Sequence, residues 1–378
     1  MPAQISHCIA AEEALAGEAP ELALSWGLGA GSPLAGSAGE APHPAAAWFR
    51  LGAQGPDIFY HNQRTKPSGL HYGALAHRRN YGLIVEGALR SLLASGASIG
   101  SPESAWLLGF ATHAALDRAV HPYIVYFAGW QRPTDPESSR YRGCHPFLER
   151  LLDLVILEER RGLRIGAMDM EVLLPLDAPR TKDGGRNPTP GTDDRVVAFL
   201  AEGLREAYPR AVGLDFLVDQ RITNALADAR FFFRMTNPAR TSSGDRRFLG
   251  HFDERWGHRA VALIYPEDLP RSIDLANRGG GDWEHPSGDG RRSRAGFLEL
   301  FDEGVAGARR ALRLVLEALR SGSAGEGLAA ALGNGGLSVA GQDGLPLPPK
   351  VSRPLPLAEI MELEFQKRLE QAQDLTAR

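Results

Sequence analysis

Residues 105–130 read AWLLGFATHAALDRAVHPYIVYFAGW, the most apolar stretch of the chain, and what stands in its middle decides the fold. The run is long enough to cross a bilayer, yet His113, Asp117, Arg118 and His121 lie along its centre, where charge in hydrocarbon is costly. It therefore predicts a buried helix of a water-soluble protein, over 103–128. Histidine and aspartate spaced four apart share one helical face, so His113, Asp117 and His121 point toward a common centre or two adjacent ones.

Outward from this helix, similar apolar stripes recur. Phe147, Leu148, Leu151, Leu152 and Val155 form one, and Leu312, Val315, Leu316 and Leu319 another. Together with weaker patterns they predict helices at 3–16, 69–96, 103–128, 145–162, 193–208, 213–235, 294–320 and 356–375. Glycine- and proline-rich loops separate them at 27–47, 177–191, 278–294 and 321–356. Strand alternation is confined to 172–176 and 260–265. The expectation is an all-α fold: one multi-helix domain over 1–320 with its chemistry in 1–160, then a linker and C-terminal amphipathic helix over 321–378. Residues 350–378 are expected on the outside of the domain or mobile.

Composition narrows the function classes. The 378 residues, 43% hydrophobic and 23% charged, suit a globular protein with a sizeable core. A net charge of -4, from 42 basic and 46 acidic residues, attracts neither nucleic acid nor an anionic surface by itself, so no stable nucleic-acid partner is expected. Two cysteines, Cys8 and Cys144, make no disulfide framework and read as free thiols of a reducing compartment. The opening MPAQISH lacks a basic n-region and an apolar run, so neither a secretory signal nor a transmembrane segment is expected, and the localisation read from sequence is cytoplasmic.

Histidine is distributed unevenly. Of eleven, eight (His7, His43, His61, His71, His77, His113, His121 and His145) fall in the first 150 residues. His145 and Glu149 repeat the four-residue spacing on the helix after 103–128. Imidazole nitrogen and carboxylate oxygen are the donors of zinc sites that stay open to water and substrate, whereas closed structural sites favour thiolates. Asp57 follows a Gly-Pro turn that would hold its carboxylate at a chain reversal. One more histidine is needed from 70–79, and His77, well inside its predicted helix, is chosen over His71. Taken singly, each residue is an ordinary turn, core or surface group. Taken jointly, they would bury several charged groups in apolar sequence without partners, and a metal cluster supplies those partners.

With these residues in view, the chain resembles the bacterial zinc-dependent phospholipase C family, which is related to the fungal-type single-strand-specific zinc nucleases. The likeness rests on MPAQISH at the start, on 51–58, on GALAH ending at His77, on 109–122 and on 144–149, with a less distinctive stretch at 274–300. It implies an all-α domain with up to three Zn²⁺ ions in a cleft and hydrolysis of a phosphoester substrate such as a phospholipid. By the resemblance, Asp57, His77, His113 and Asp117 correspond to ligands of one zinc, and His121, His145 and Glu149 to those of a separate one. Asp117 bridges to a third, held by His7 and by the terminal amine and carbonyl. Trimming of Met1 before a proline would make Pro2 that terminus. Asp57 is also expected to act catalytically by orienting the attacking water, with Tyr60, His61, Arg78, Arg79 and Trp130 as candidates for the substrate rim. Two alternatives remain open: a nuclease-like phosphodiesterase acting on single strands, and a non-catalytic metal- or lipid-binding helical protein. Pro122, directly after His121, is expected to bend or end its helix.

Overall fold

A computed structural model describes residues 4–28, 43–173, 175, 192–241 and 261–376. The described chain is mostly helical, and the order of its elements follows the apolar stripes. Helix α1 spans Gln4–Glu18, α2 Pro20–Ser25, α3 Pro44–Ala53, α4 Leu70–Arg78, α5 Tyr81–Ala94, α6 Pro102–Ala128 and α7 Cys144–Arg161. They are followed by α8 Thr192–Ala207, α9 Val218–Met235, α10 Pro238–Thr241, α11 Phe297–Ser321, α12 Leu328–Leu332 and α13 Leu357–Thr376. Two short strands, β1 Trp283–Glu284 and β2 Arg292–Ser293, pair antiparallel within the 278–294 loop.

Helix α6 is the axis of the fold. Ser101 caps its N-terminus by accepting the Ser104 N–H, and Pro102 stands where a missing N–H costs nothing. It packs against α3 on one side and α11 on another. The α3 crossing is close because it is made through glycine: a Cβ on Gly52 would stand 2.0 Å from the Trp106 carbonyl oxygen, and one on Gly109 2.0 Å from that of Phe49. The first half of α6, from Ala105 to Ala114, belongs to an apolar core shared with α3, α5, α8 and α9. Its second half, from Leu116 onward, belongs to a second core with α7, α13 and the start of α1. His113 and Asp117 fall where the two cores meet.

Several expectations change. The predicted helix 69–96 is two helices, because Asn80 takes a left-handed φ of 67° and donates its side-chain amide to the Ala207 carbonyl. Residues 213–217 form a turn ahead of α9, and α11 starts only at Phe297, where the Gly296 N–H donates to Glu299. Helices α2 and α3 lie wholly or partly in sequence read as loop or left unassigned; α3 is alanine-rich with few stripe residues, and its stability comes from packing on α6. Neither strand candidate forms among the described residues: Val172 and Leu173 close a 3₁₀ turn, and Val261 is helical with turn and coil over 262–265, since neither segment finds a partner strand. Pro122 does not end α6, which continues to Ala128. Nor does the C-terminal helix sit loosely outside: α13 buries Leu357, Met361 and Phe365 in the second core, and the buried Arg368 donates to the carbonyls of Thr241 and Tyr265. Among the described residues no helix is long and apolar enough to cross a membrane.

Candidate metal centre

Five segments deliver the site. Asp57 stands in a 3₁₀ turn, Gly55–Phe59, entered through Gly55 at φ +56°; a Cβ there would lie 2.2 Å from Cγ of His113, so only glycine lets the turn and the imidazole coexist. Helix α4 supplies His77, α6 supplies His113, Asp117 and His121, α7 supplies His145 and Glu149, and α1 supplies His7. The first turn of α1 is pinned by the buried Asp153 of α7, which accepts the N–H groups of Ile5 and Ser6, the Ser6 hydroxyl at 2.7 Å and the Tyr265 hydroxyl at 2.8 Å. His7 follows directly and is aimed by that anchor. Burial raises the Asp153 pKa, against the pull of Arg150 and these donors.

All eight side chains anticipated from sequence converge. Pro2, the remaining anticipated ligand, lies outside the described residues. Asp117, fully buried, is the hub, and its two oxygens face different neighbours. Oδ2 stands 3.0 Å from His113 Nε2 and 3.6 Å from His77 Nε2, while Oδ1 stands 3.2 Å from His7 Nε2 and 3.7 Å from His121 Nε2. Asp57 approaches His77 at 3.0 Å and His113 at 3.6 Å. Glu149 Oε1 lies 3.0 Å from His145 Nε2 and 3.4 Å from His121 Nε2. Three sets, His7 with Asp57 and His113, His77 with His113 and Asp117, and His121 with His145 and Glu149, each bring their ligand atoms within 4.8 Å of one another.

These approaches are short, but most are not hydrogen bonds. Nε2 of His77 and of His113, Oδ2 of Asp57 and both carboxylate oxygens of Asp117 are buried with no hydrogen-bond partner among the described residues. So many orphaned donor atoms aimed at one space is a large cost unless a cation binds them. The rings are oriented for it: Nδ1 of His77 lies 2.8 Å from the Gly73 carbonyl and Nδ1 of His113 3.2 Å from that of Ala53, which leaves Nε2 as the nitrogen turned inward, the one a metal would take. The donor set is nitrogen and oxygen only. Cys8 and Cys144 stand apart as buried thiols, the Cys144 pKa pushed up to about 11 by burial and Cys8 higher still.

The electrostatics agree. Burial opposes ionisation of Asp57 and Asp117, yet the facing imidazoles, His113 first in each case, hold both below the usual carboxylate range. Burial likewise disfavours a charged His121, but Asp117 and Glu149 raise it to about 9. A metal-free pocket therefore holds protons where a metal would stand. The His145 side chain is 30% exposed, against 11% for His77 and His121 and at most 4% for the remaining ligand residues, so the pocket opens at the α7 side.

Other expected site residues fall elsewhere. His71 is exposed on α4, away from the cluster. The Tyr60 ring lies 5.0 Å from that of His77, and Arg78 and Arg79 are exposed at the end of α4. His61 is no rim residue: it is 6% exposed and stacks at 4.2 Å on Phe232. Trp130 lines a separate cavity of about 280 Å³ with Arg132, Tyr141 and Lys350 at the end of α6. What the sequence did not signal is the support: Gly55, Asp153 and the carbonyls of Gly73 and Ala53 have no motif of their own. Comparison with models of protein families, with curated proteins and with solved structures finds no match for this chain.

Proposed function

We propose that the chain is a zinc-dependent phosphodiesterase of the phospholipase C type, hydrolysing a phospholipid or a related phosphoester. One observation carries the proposal: five imidazoles and three carboxylates from five segments meet in one pocket with their donor atoms turned inward and, in large part, unpartnered. Nitrogen and oxygen donors without thiolate, with one side open to solvent, suit a catalytic rather than a structural zinc site. On this reading Asp57, His77, His113 and Asp117 hold one ion and His121, His145 and Glu149 another. His7 and Asp117 serve a third.

Bound zinc supplies a water with its pKa lowered toward about 7 and positive charge for the phosphoryl oxygens. The chain's own residues do the rest. The free Oδ2 of Asp57 accepts a hydrogen from the attacking water and aligns it. His77 and His113 keep their protons on Nδ1, held by backbone carbonyls, and so remain neutral donors. The exposed edge at His145 is where a diester would approach. No serine, cysteine or lysine nucleophile is needed.

The test is turnover of bis(p-nitrophenyl) phosphate, expected to vanish with chelator and return with Zn²⁺, followed by comparison of phosphatidylcholine with single-stranded DNA. A chain that loads zinc fully and hydrolyses none of the three is a metal-binding protein and not an enzyme of this type. Faster cleavage of DNA than of lipid would favour the nuclease alternative.

A further inference from the structure

The connection between α8 and α9, residues 208–217, exposes three large apolar side chains within four residues, whereas the other exposed ones of the described surface stand singly or in pairs. Phe216 is 100% exposed, Leu214 76% and Leu217 50%, and Leu70 at the start of α4 is 44% exposed. This is not slack chain. Val212 is fully buried beneath the loop, and Asp215 turns inward to accept the Tyr72 hydroxyl at 2.5 Å, the Arg221 Nε at 2.8 Å and the Leu217 N–H at 2.8 Å. At the other end the Tyr208 hydroxyl donates to the Arg79 carbonyl. The loop is thus pinned along α4 from Arg79 back to Tyr72, and its fixed shape holds the apolar groups outward against their preference for burial.

Lys66, Arg78, Arg79 and Arg210 are exposed, and none pairs with a carboxylate among the described residues. The nearby acids sit in ion pairs, Asp215 with Arg221 at 2.8 Å, Asp228 with Arg64 at 3.1 Å, and Asp219 at 3.0 Å with Arg205, an arginine that Glu202 shares. We propose that loop 208–217, with Leu70, is an anchor that inserts into an anionic lipid surface. Isolated apolar protrusions on a convex turn, ringed by unpaired cations, lack the groove or paired edge that a protein partner would fill, whereas a headgroup layer takes them in without shape complementarity. The position has a consequence for the cleft. Leu70 and His77 share a face of α4, two turns or roughly 10 Å apart, so anchoring there holds the helix that supplies His77 close to the lipid phosphates. That consequence rests on the phosphodiesterase proposal, whereas the anchoring does not.

The test uses the full chain, sedimented with vesicles of phosphatidylcholine alone or mixed with phosphatidylglycerol, and in parallel assayed on soluble bis(p-nitrophenyl) phosphate. The wild-type chain is expected to bind the anionic vesicles, less so as salt rises. The variant carrying Leu214→Ser, Phe216→Ser and Leu217→Ser should bind at least tenfold more weakly, about 1.4 kcal/mol, with soluble turnover unchanged. A second variant, Lys66→Glu with Arg210→Glu, should lose the preference for anionic vesicles. Wild type left in the supernatant, or the triple-serine variant binding as wild type does, overturns the anchor. So does a wild-type dimer that the serine variant makes monomeric without any vesicle binding. Vesicle binding with no hydrolysis of the soluble diester, the lipid or DNA sinks the enzymatic proposal and leaves the anchor standing; soluble turnover without vesicle binding does the reverse.

Discussion

Asp117 faces neighbours on both sides, and its removal should show it. Asp117→Ala is expected to lose more zinc and more turnover than Glu149→Ala, by over 100-fold in turnover, since even outer partners of metal ligands cost 10–100-fold. Metal content by mass spectrometry and the diester assay check this; equal losses in the two variants would argue against a shared carboxylate. His61 makes a different prediction. Burial drives its pKa down to about 3, with Arg150 adding to the effect and Asp57 opposing it, while the unfolded chain binds the proton below about 6.5. Between those values the unfolded state holds more protons, so this group's contribution to stability is lost as pH falls from about 6.5 toward 3, by up to about 1.4 kcal/mol per pH unit. His61→Phe, which keeps the stacking on Phe232, should flatten that part of the profile of urea midpoint against pH; an unchanged slope would mean the ring is protonated in the folded chain.

At the scale of elements, the site depends on how helices are anchored as much as on the ligands they carry. Helix α1 reaches His7 through a first turn whose N–H groups end on Asp153. Asp153→Ala should leave buried donors unmatched, at about 1–3 kcal/mol each before relaxation. It should also let His7 drift, lowering zinc affinity by about 10-fold or more although no ligand has changed. Urea denaturation and a zinc competition assay measure the two effects separately. A loss of stability with zinc affinity intact would show that α1 is aimed by its packing alone. The same scale explains where sequence patterns misled. Helix α5 starts two residues after α4 ends because Asn80 is stabilised in a left-handed conformation by a carbonyl 127 residues away, which no local periodicity encodes. Helix α3 lacks a stripe because it meets α6 through backbone and glycine.

Over the whole molecule, the pocket lies between two apolar cores that α6 runs through in turn. Ligands come from α1, the 55–59 turn, α4, α6 and α7, so a bound cation ties both cores together. Zinc at 100 times its dissociation constant should add about 2.7 kcal/mol of stability per site, and chelation should lower the melting temperature accordingly. Calorimetry with and without chelator checks this, and indifference of the melting temperature to zinc would mean the pocket does not bind it in the folded state. The protons that occupy the metal-free pocket make zinc affinity rise with pH, and His121, raised to about 9, should release its proton as the metal enters.

Legible in the residues alone were the helical class, the long central helix and seven of the side chains that face one another; His7 was implied only by the family resemblance. Charges in apolar surroundings admitted few other resolutions, and four-residue spacing carries its geometry within a single helix. How the five segments meet is set by packing between helices distant in sequence. That Asp117 presents one oxygen to His77 and His113 and the other to His7 and His121 follows from how α1 and α4 are placed against α6. That His77 and not His71 joins them follows from the direction of α4. The apolar tip at 214–217 became legible only when exposure could be measured, because in sequence it reads as the start of a helix.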